Sequence, residues 1–177
     1  MKQILVALQT NETPFEISLS GLDLGGPRCR ILAASIAFNK TLLSLHLARK
    51  GIQDEEGQDL AKMLYTNTTL RKLELEGNCL GSKCAQEFGR ALRVNKTLKF
   101  LDLESNQLTV DGNDPSGVTI FIEFMLYNKT LISLNIANNS LNENNGNDLN
   151  DKLAKNDTII DLDYSMNQIN LDDSREI

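Results

Sequence analysis

One histidine, three cysteines and 24 carboxylates are the groups with which this 177-residue chain could do chemistry. His46 has no cysteine or carboxylate at metal-ligand spacing around it, so neither a zinc site nor a histidine-based triad assembles. No phosphate loop of the form G-x-x-x-x-G-K-[ST] occurs. Cys79 and Cys84 stand five residues apart and read as small packing residues rather than a redox pair. With Cys29 they make an odd number at irregular spacing, which is no disulfide framework and fits a reducing compartment. The polar segment from Asn142 to Asp151 tempts a calcium reading. Counted from Gly146, however, an EF-hand loop would need Leu141 at its first position and Lys152 at its twelfth, so both essential ligands fail. The expectation is a protein that is not an enzyme and holds no cofactor and no metal. What remains is a set of carboxylates at related positions: Glu74, Glu76, Asp102 and Glu104.

The relation between them is a repeat. Asn-x-Thr-Leu/Ile returns as NKTLLSLHLARKGI from Asn39, NTTLRKLELEGNCL from Asn67, NKTLKFLDLESNQL from Asn95, NKTLISLNIANNSL from Asn128 and NDTIIDLDYSMNQI from Asn156, with a weaker copy, NETPFEISLSGLDL, from Asn11. The offsets are 28, 28, 28, 33 and 28 residues. Within each copy apolar residues alternate, as in Leu73-Glu74-Leu75 and Leu101-Asp102-Leu103, which predicts a short strand with one buried face. Helical spacing follows: Leu60, Met63 and Leu64; then Phe88, Ala91 and Leu92; then Phe121, Phe124 and Met125. Strands that recur in one direction with helices between them pair in parallel, and stacked units bury a core that no unit could bury alone.

The pattern L-x-x-L-x-L-x-x-N-x-L, held by Leu70, Leu73, Leu75, Asn78 and Leu80 and again by Leu98, Leu101, Leu103, Asn106 and Leu108, resembles the leucine-rich repeat. The 28-residue period is similar to its ribonuclease-inhibitor-like class. The resemblance covers essentially the whole chain and implies one α/β domain over residues 1–177: a right-handed leucine-rich-repeat solenoid, or horseshoe, of about six repeats. Its parallel strands would line the concave face and its helices the convex face. Asn78, Asn106, Asn139 and Asn167 hold the ladder position, where a side-chain amide serves backbone groups in the turn after the strand. Leu22 and Lys50 stand there in the first two copies, which predicts less regular repeats. The Asn-x-Thr triplets match the glycosylation acceptor, but their Asn is expected to end each helix in the left-handed conformation.

With the leucines inward, the residues between them face out along the strands. One column reads Ser18, His46, Glu74, Asp102, Asn135 and Asp163; the next reads Ser20, Ala48, Glu76, Glu104, Ala137 and Ser165. Four carboxylates on strands about 4.8 Å apart repel. Either Lys72 and Arg49 relieve them, or they offer a site to a basic partner. Phe100, in their midst, reads as an apolar anchor. Copy four carries five extra residues within Thr109 to Gly117, a loop expected at the rim.

A net charge of −6 divides into +4 over residues 1–100 and −10 over 101–177. It argues against nucleic-acid binding, which needs clustered Lys and Arg. With 41% apolar and 24% charged residues the chain reads as globular, and its apolar runs fall far short of the ~20 residues that span a bilayer. No leader opens it and neither end shows a polar cap, so a portion of a longer, cytoplasmic protein is expected. The expected function is a protein-interaction scaffold working through its concave face, with cytoskeletal and ciliary settings among those the resemblance suggests. The alternative is a regulator of a partner enzyme, either a GTPase activator or an inhibitor of the same class.

Overall fold

The computed structural model describes residues 2–13, 15–19 and 24–169. Six strands, β1 (Phe15–Ser18), β2 (Leu42–His46), β3 (Lys72–Glu74), β4 (Phe100–Asp102), β5 (Ser133–Asn135) and β6 (Asp161–Asp163), form one sheet in chain order. All five pairings are parallel. Six helices alternate with them: α1 (Lys2–Thr10), α2 (Pro27–Ala37), α3 (Asp54–Met63), α4 (Ser82–Val94), α5 (Ser116–Ile122) and α6 (Glu143–Leu153). Leu45, Leu73, Leu101, Leu134 and Leu162 lie in register across five strands, and the first four are buried. They join the helix residues Leu32, Leu60, Phe88 and Phe121 in one continuous apolar cluster. The period-two leucines therefore supply one wall of the core and the helices the other.

Helices α4 and α5 approach one another through a glycine on each. A Cβ on Gly89 would stand 2.6 Å from the Phe121 Cα of α5, and one on Gly117 would stand 2.2 Å from the Ser82 carbonyl oxygen. Asp54, at the start of α3, caps α4 from the preceding repeat: its Oδ1 accepts from Gly81 N at 2.8 Å and Cys84 N at 2.9 Å. The apolar spacing around Phe121, Phe124 and Met125 predicts a continuous helix, but α5 gives way to a 3-10 helix over Glu123–Leu126. The tighter winding accompanies packing of the buried Phe121 and Phe124 rings, whose centroids are 5.3 Å apart. The copy-four insertion is tied down at its base, where buried Thr109 donates through Oγ1 to Asn139 O at 2.9 Å.

The ladder asparagines bond to backbone groups of their own and the preceding turn. Asn78 Oδ1 accepts from Lys50 N and Ile52 N, and its Nδ2 donates to Leu47 O and Leu75 O, all between 2.8 and 3.1 Å. Asn106, Asn139 and Asn167 repeat the arrangement. The second set, Asn39, Asn67, Asn95, Asn128 and Asn156, requires a correction, since none of them takes a positive φ. In each of these turns it is instead the residue just before the ladder position that is left-handed: Arg49, Gly77, Ser105, Asn138 and Met166. The second set instead forms another ladder. Each Oδ1 accepts from the backbone two and three residues on, as at Thr97 N and Leu98 N for Asn95, while Nδ2 reaches into the preceding repeat. Asn95 is extended, with φ −65° and ψ 132°, and a side chain bonded in this way leaves no reason for an αL conformation. Their amide nitrogens are spent, and Asn67, Asn95 and Asn128 are buried, so the acceptor motif serves packing rather than glycans. The expectations for Ser20, Leu22 and the stretch from Asp172 to Ile177 fall outside the described residues.

Candidate functional site

The sheet face turned away from the helices carries the predicted columns in the predicted register: Ser18, His46, Glu74, Asp102, Asn135 and Asp163 pair in succession from β1 to β6. Beyond the strand ends, Gly77 N donates to Glu104 O at 2.9 Å and Arg49 N to Glu76 O at 2.8 Å, so Glu76 and Glu104 are neighbours as well. Phe100 lies between Lys72 and Ser133 and is 43% exposed. It stands at a hollow of about 330 Å³ floored by Leu73, Leu101 and Leu134.

The acids do not face one another unrelieved. Glu74 receives a hydrogen bond from His46 Nδ1 and an ion pair from Lys72 Nζ at 2.6 Å. Burial pushes its carboxyl up, but the bonds from Lys72 and His46 outweigh it and hold the group below its ordinary value. Glu76 pairs with Arg49 Nη2 at 2.5 Å, which raises the guanidinium further. Glu104 accepts from Asn135 Nδ2 at 2.9 Å. Asp102 is pushed upward, first by burial and then by the charges of Glu104, Glu76 and Glu74, despite the bond its Oδ1 accepts from Glu104 N.

That last bond reveals a role which the column reading missed. Asp102, Asn135 and Asp163 each accept, through Oδ1, the N–H two residues on, at 2.9, 3.0 and 2.9 Å. These are Asx turns that close the strand ends. The signal was the Asx-x-x spacing itself, in D-L-E, N-I-A and D-Y-S. Glu16 was also missed: its carboxylate lies 3.9 Å from His46 Nε2, and it accepts from Ser44 Oγ at 3.1 Å. Away from this face the cysteines are free thiols. Burial, with Glu56 and Asp59, pushes Cys29 up to about 12, and burial also raises Cys84. Both stay protonated and pack.

What the face presents is a mosaic of internally paired charges around one exposed ring, on a backbone fixed by two asparagine ladders. Such a surface suits recognition by shape and charge. No family model and no curated protein matches the sequence. Among solved structures, the chain is similar to one described as Leiomodin-1 Actin-Binding Site 2, with a TM-score of 0.71, 21% identity, and coverage of 86% of this chain and 87% of that one. The likeness is one of fold. A tropomodulin C-terminal domain from Caenorhabditis elegans aligns equally well, with a TM-score of 0.71, 18% identity, and coverage of 87% and 91%. Six parallel strands alternating with helices are thus an arrangement shared with the leucine-rich-repeat-like domains of those proteins.

Proposed function

We propose that the chain is a protein-interaction domain, a leucine-rich-repeat solenoid of horseshoe form and ribonuclease-inhibitor-like class, which holds a partner on the open face of its sheet without a bond-making step. The observation that carries this is Phe100, an exposed ring set beside a 330 Å³ hollow and ringed by charges at fixed register. An apolar anchor within a polar surround is how a few residues come to dominate an interface. The partner on this reading is a protein with a basic patch that meets Glu74, Glu76, Asp102 and Glu104. The similar structure named for an actin-binding site makes actin the first partner to test and a cytoplasmic, cytoskeletal setting the working one. No observation favours a GTPase activator: Arg49, the arginine of this face, is committed to Glu76.

The test is co-sedimentation with actin filaments, alongside a pull-down from cell lysate with mass spectrometry, for the wild type, Phe100→Ala and Glu74→Gln/Glu76→Gln. Circular dichroism checks that each variant is folded. Capture by the wild type and its loss in folded Phe100→Ala supports the reading. Unchanged capture by both variants removes the open face as the interface.

A further inference from the structure

The second asparagine ladder runs along the edge of the fold where helices end and strands begin, and it lays out two rows of side chains that do nothing for the core. Asn67 donates to Asn39 O at 3.4 Å, Asn95 to Asn67 O at 3.2 Å and Asn128 to Asn95 O at 3.1 Å, so residues flanking these positions stand in register from repeat to repeat. Just before each asparagine the chain carries an exposed residue, and three of these are bulky and apolar: Phe38 at 74%, Val94 at 54% and Tyr127 at 50% exposure. Just after each asparagine it carries another exposed row, with Lys40, Lys96 and Lys129 in the same repeats. Apolar residues and cations therefore run on either side of a buried polar spine, each row interrupted at the Asn67 copy, where Thr66 and Thr68 take the two positions. We propose that this edge is a second docking surface, separate from the open face, and that it takes an acidic segment of a partner protein.

The charge and the apolar surface need one account. Lysines near helix C-termini complement the helix dipole, which explains cations there but not three exposed apolar neighbours. Nor are the cations spent: among the described residues neither Lys40 nor Lys96 pairs with a carboxylate, and their ammonium groups lie 3.2 Å from Thr68 Oγ1 and 3.5 Å from Arg93 O. Lys129 alone has such a partner, Asp157 at 2.5 Å. Arg93 adds a further positive charge 4.3 Å above the Tyr127 ring. The rows are bounded, because Glu12 and Asp157 take the lysine position in the outer copies. A ligand is thus confined to the span from Asn39 to Asn128, three repeat steps of about 4.8 Å, which four or five residues of extended chain would cover at ~3.3 Å each. Acidic side chains would meet the lysines and apolar ones the neighbouring row. An anionic membrane or a nucleic acid fits less well, since a chain of net charge −6 is repelled by an extended anionic surface.

The probe is a displayed library of random twelve-residue peptides panned against the wild type, with binding of the selected peptides then measured on Lys40→Glu/Lys96→Glu/Lys129→Glu, on Phe38→Ser/Tyr127→Ser and on Phe100→Ala. Circular dichroism confirms that each variant is folded. The expected result is enrichment of acidic peptides bearing an aromatic or aliphatic residue, with affinity at least tenfold weaker for both edge variants and unchanged for Phe100→Ala. The proposal is overturned if no peptides are enriched, if those selected lack acidic bias, or if they bind the edge variants as well as the wild type. Tighter binding to phosphatidylserine-rich vesicles than to any selected peptide also overturns it. The edge variants leave the open face intact, so this outcome is distinct from the outcome for that face.

Discussion

Asn95 donates its side-chain amide to the main-chain carbonyl of Asn67, the equivalent residue one repeat earlier, at 3.2 Å, and to Leu64 O at 2.8 Å. Its Oδ1 accepts from Thr97 N and Leu98 N at 3.0 and 2.8 Å. One buried side chain thus satisfies both ends of the link between helix and strand and ties two repeats together. Asn95→Ala leaves four main-chain groups without these partners, at about 1 kcal/mol each, so urea denaturation should show a loss of about 3–4 kcal/mol. Asn95→Asp keeps the acceptor but turns a carboxylate oxygen toward two carbonyls. Its loss should be at least as large at neutral pH and should shrink as the pH is lowered and the group protonates. A loss below about 1 kcal/mol for Asn95→Ala would mean that the ladder is dispensable.

Asp102 and Asn135 occupy adjacent places in one column and make the same turn bond, but only Asp102 carries charge. Burial and the neighbouring acids raise its carboxyl above the ordinary value. The folded state then binds the proton at a higher pH than the unfolded one, and stability rises as the pH falls through that window. Asp102→Asn keeps the Oδ1 acceptor and removes the repulsion. It should stabilise the chain at pH 7 by about 0.5 kcal/mol, a small figure because solvent screens a partly exposed group. The gain should vanish below the ordinary aspartate range. Equal stability of variant and wild type across the whole titration would count against the charge account.

The strands, their parallel order and their register were legible because leucine at every second position leaves one choice of inward face, and because the period repeats it six times. The same logic placed His46, Glu74, Asp102, Asn135 and Asp163 in one column. The second ladder was misread because an asparagine after a helix is compatible with a left-handed cap. Only the carbonyl of the preceding repeat, 28 residues away, reveals its amide as a bridge. The true left-handed position was hidden by residue type. Gly77 announces it in one copy, whereas Arg49, Ser105, Asn138 and Met166 occupy it elsewhere. The sequence offered Lys72 and Arg49 as cations that relieve the acids, but that they do so, and that His46 joins them on Glu74, depends on rotamers that a sequence does not record.

Met166 offers a direct check on the turn. Its φ is 57° and its side chain is 75% exposed, so it pays for the left-handed conformation with little packing in return. That conformation costs a residue with a Cβ about 1–2 kcal/mol, from which the larger unfolded-state entropy of glycine must be subtracted. Met166→Gly should therefore be stabilising by about 0.5 kcal/mol, a rise in Tm of roughly 1–2 °C in a calorimetric scan. A fall in Tm would show that the methionine contributes contacts which outweigh the backbone gain.

Gly89 and Gly57 separate two kinds of close packing between neighbouring helices. A Cβ on Gly57 would meet side-chain atoms, Cys84 Sγ and Leu80 Cδ2, both at 2.5 Å. On Gly89 it would meet the backbone of the next helix, with Phe121 Cα at 2.6 Å and Ile120 O at 2.8 Å. Alanine favours an isolated helix over glycine by about 1 kcal/mol at either site, so a net loss understates the cost of the contact by about that amount. Side chains can shift rotamer, and Gly57→Ala should cost about 1 kcal/mol or less. A packed backbone moves only with its whole helix, and Gly89→Ala should cost about 2–3 kcal/mol. Because each repeat rests on its neighbours, that loss should appear as weaker coupling between the units on either side of α4 and α5. Hydrogen exchange would show it as earlier opening of β5 and α6 than of β2 and α3. Uniform opening of all repeats in Gly89→Ala would show instead that the α4–α5 contact is not a boundary between units.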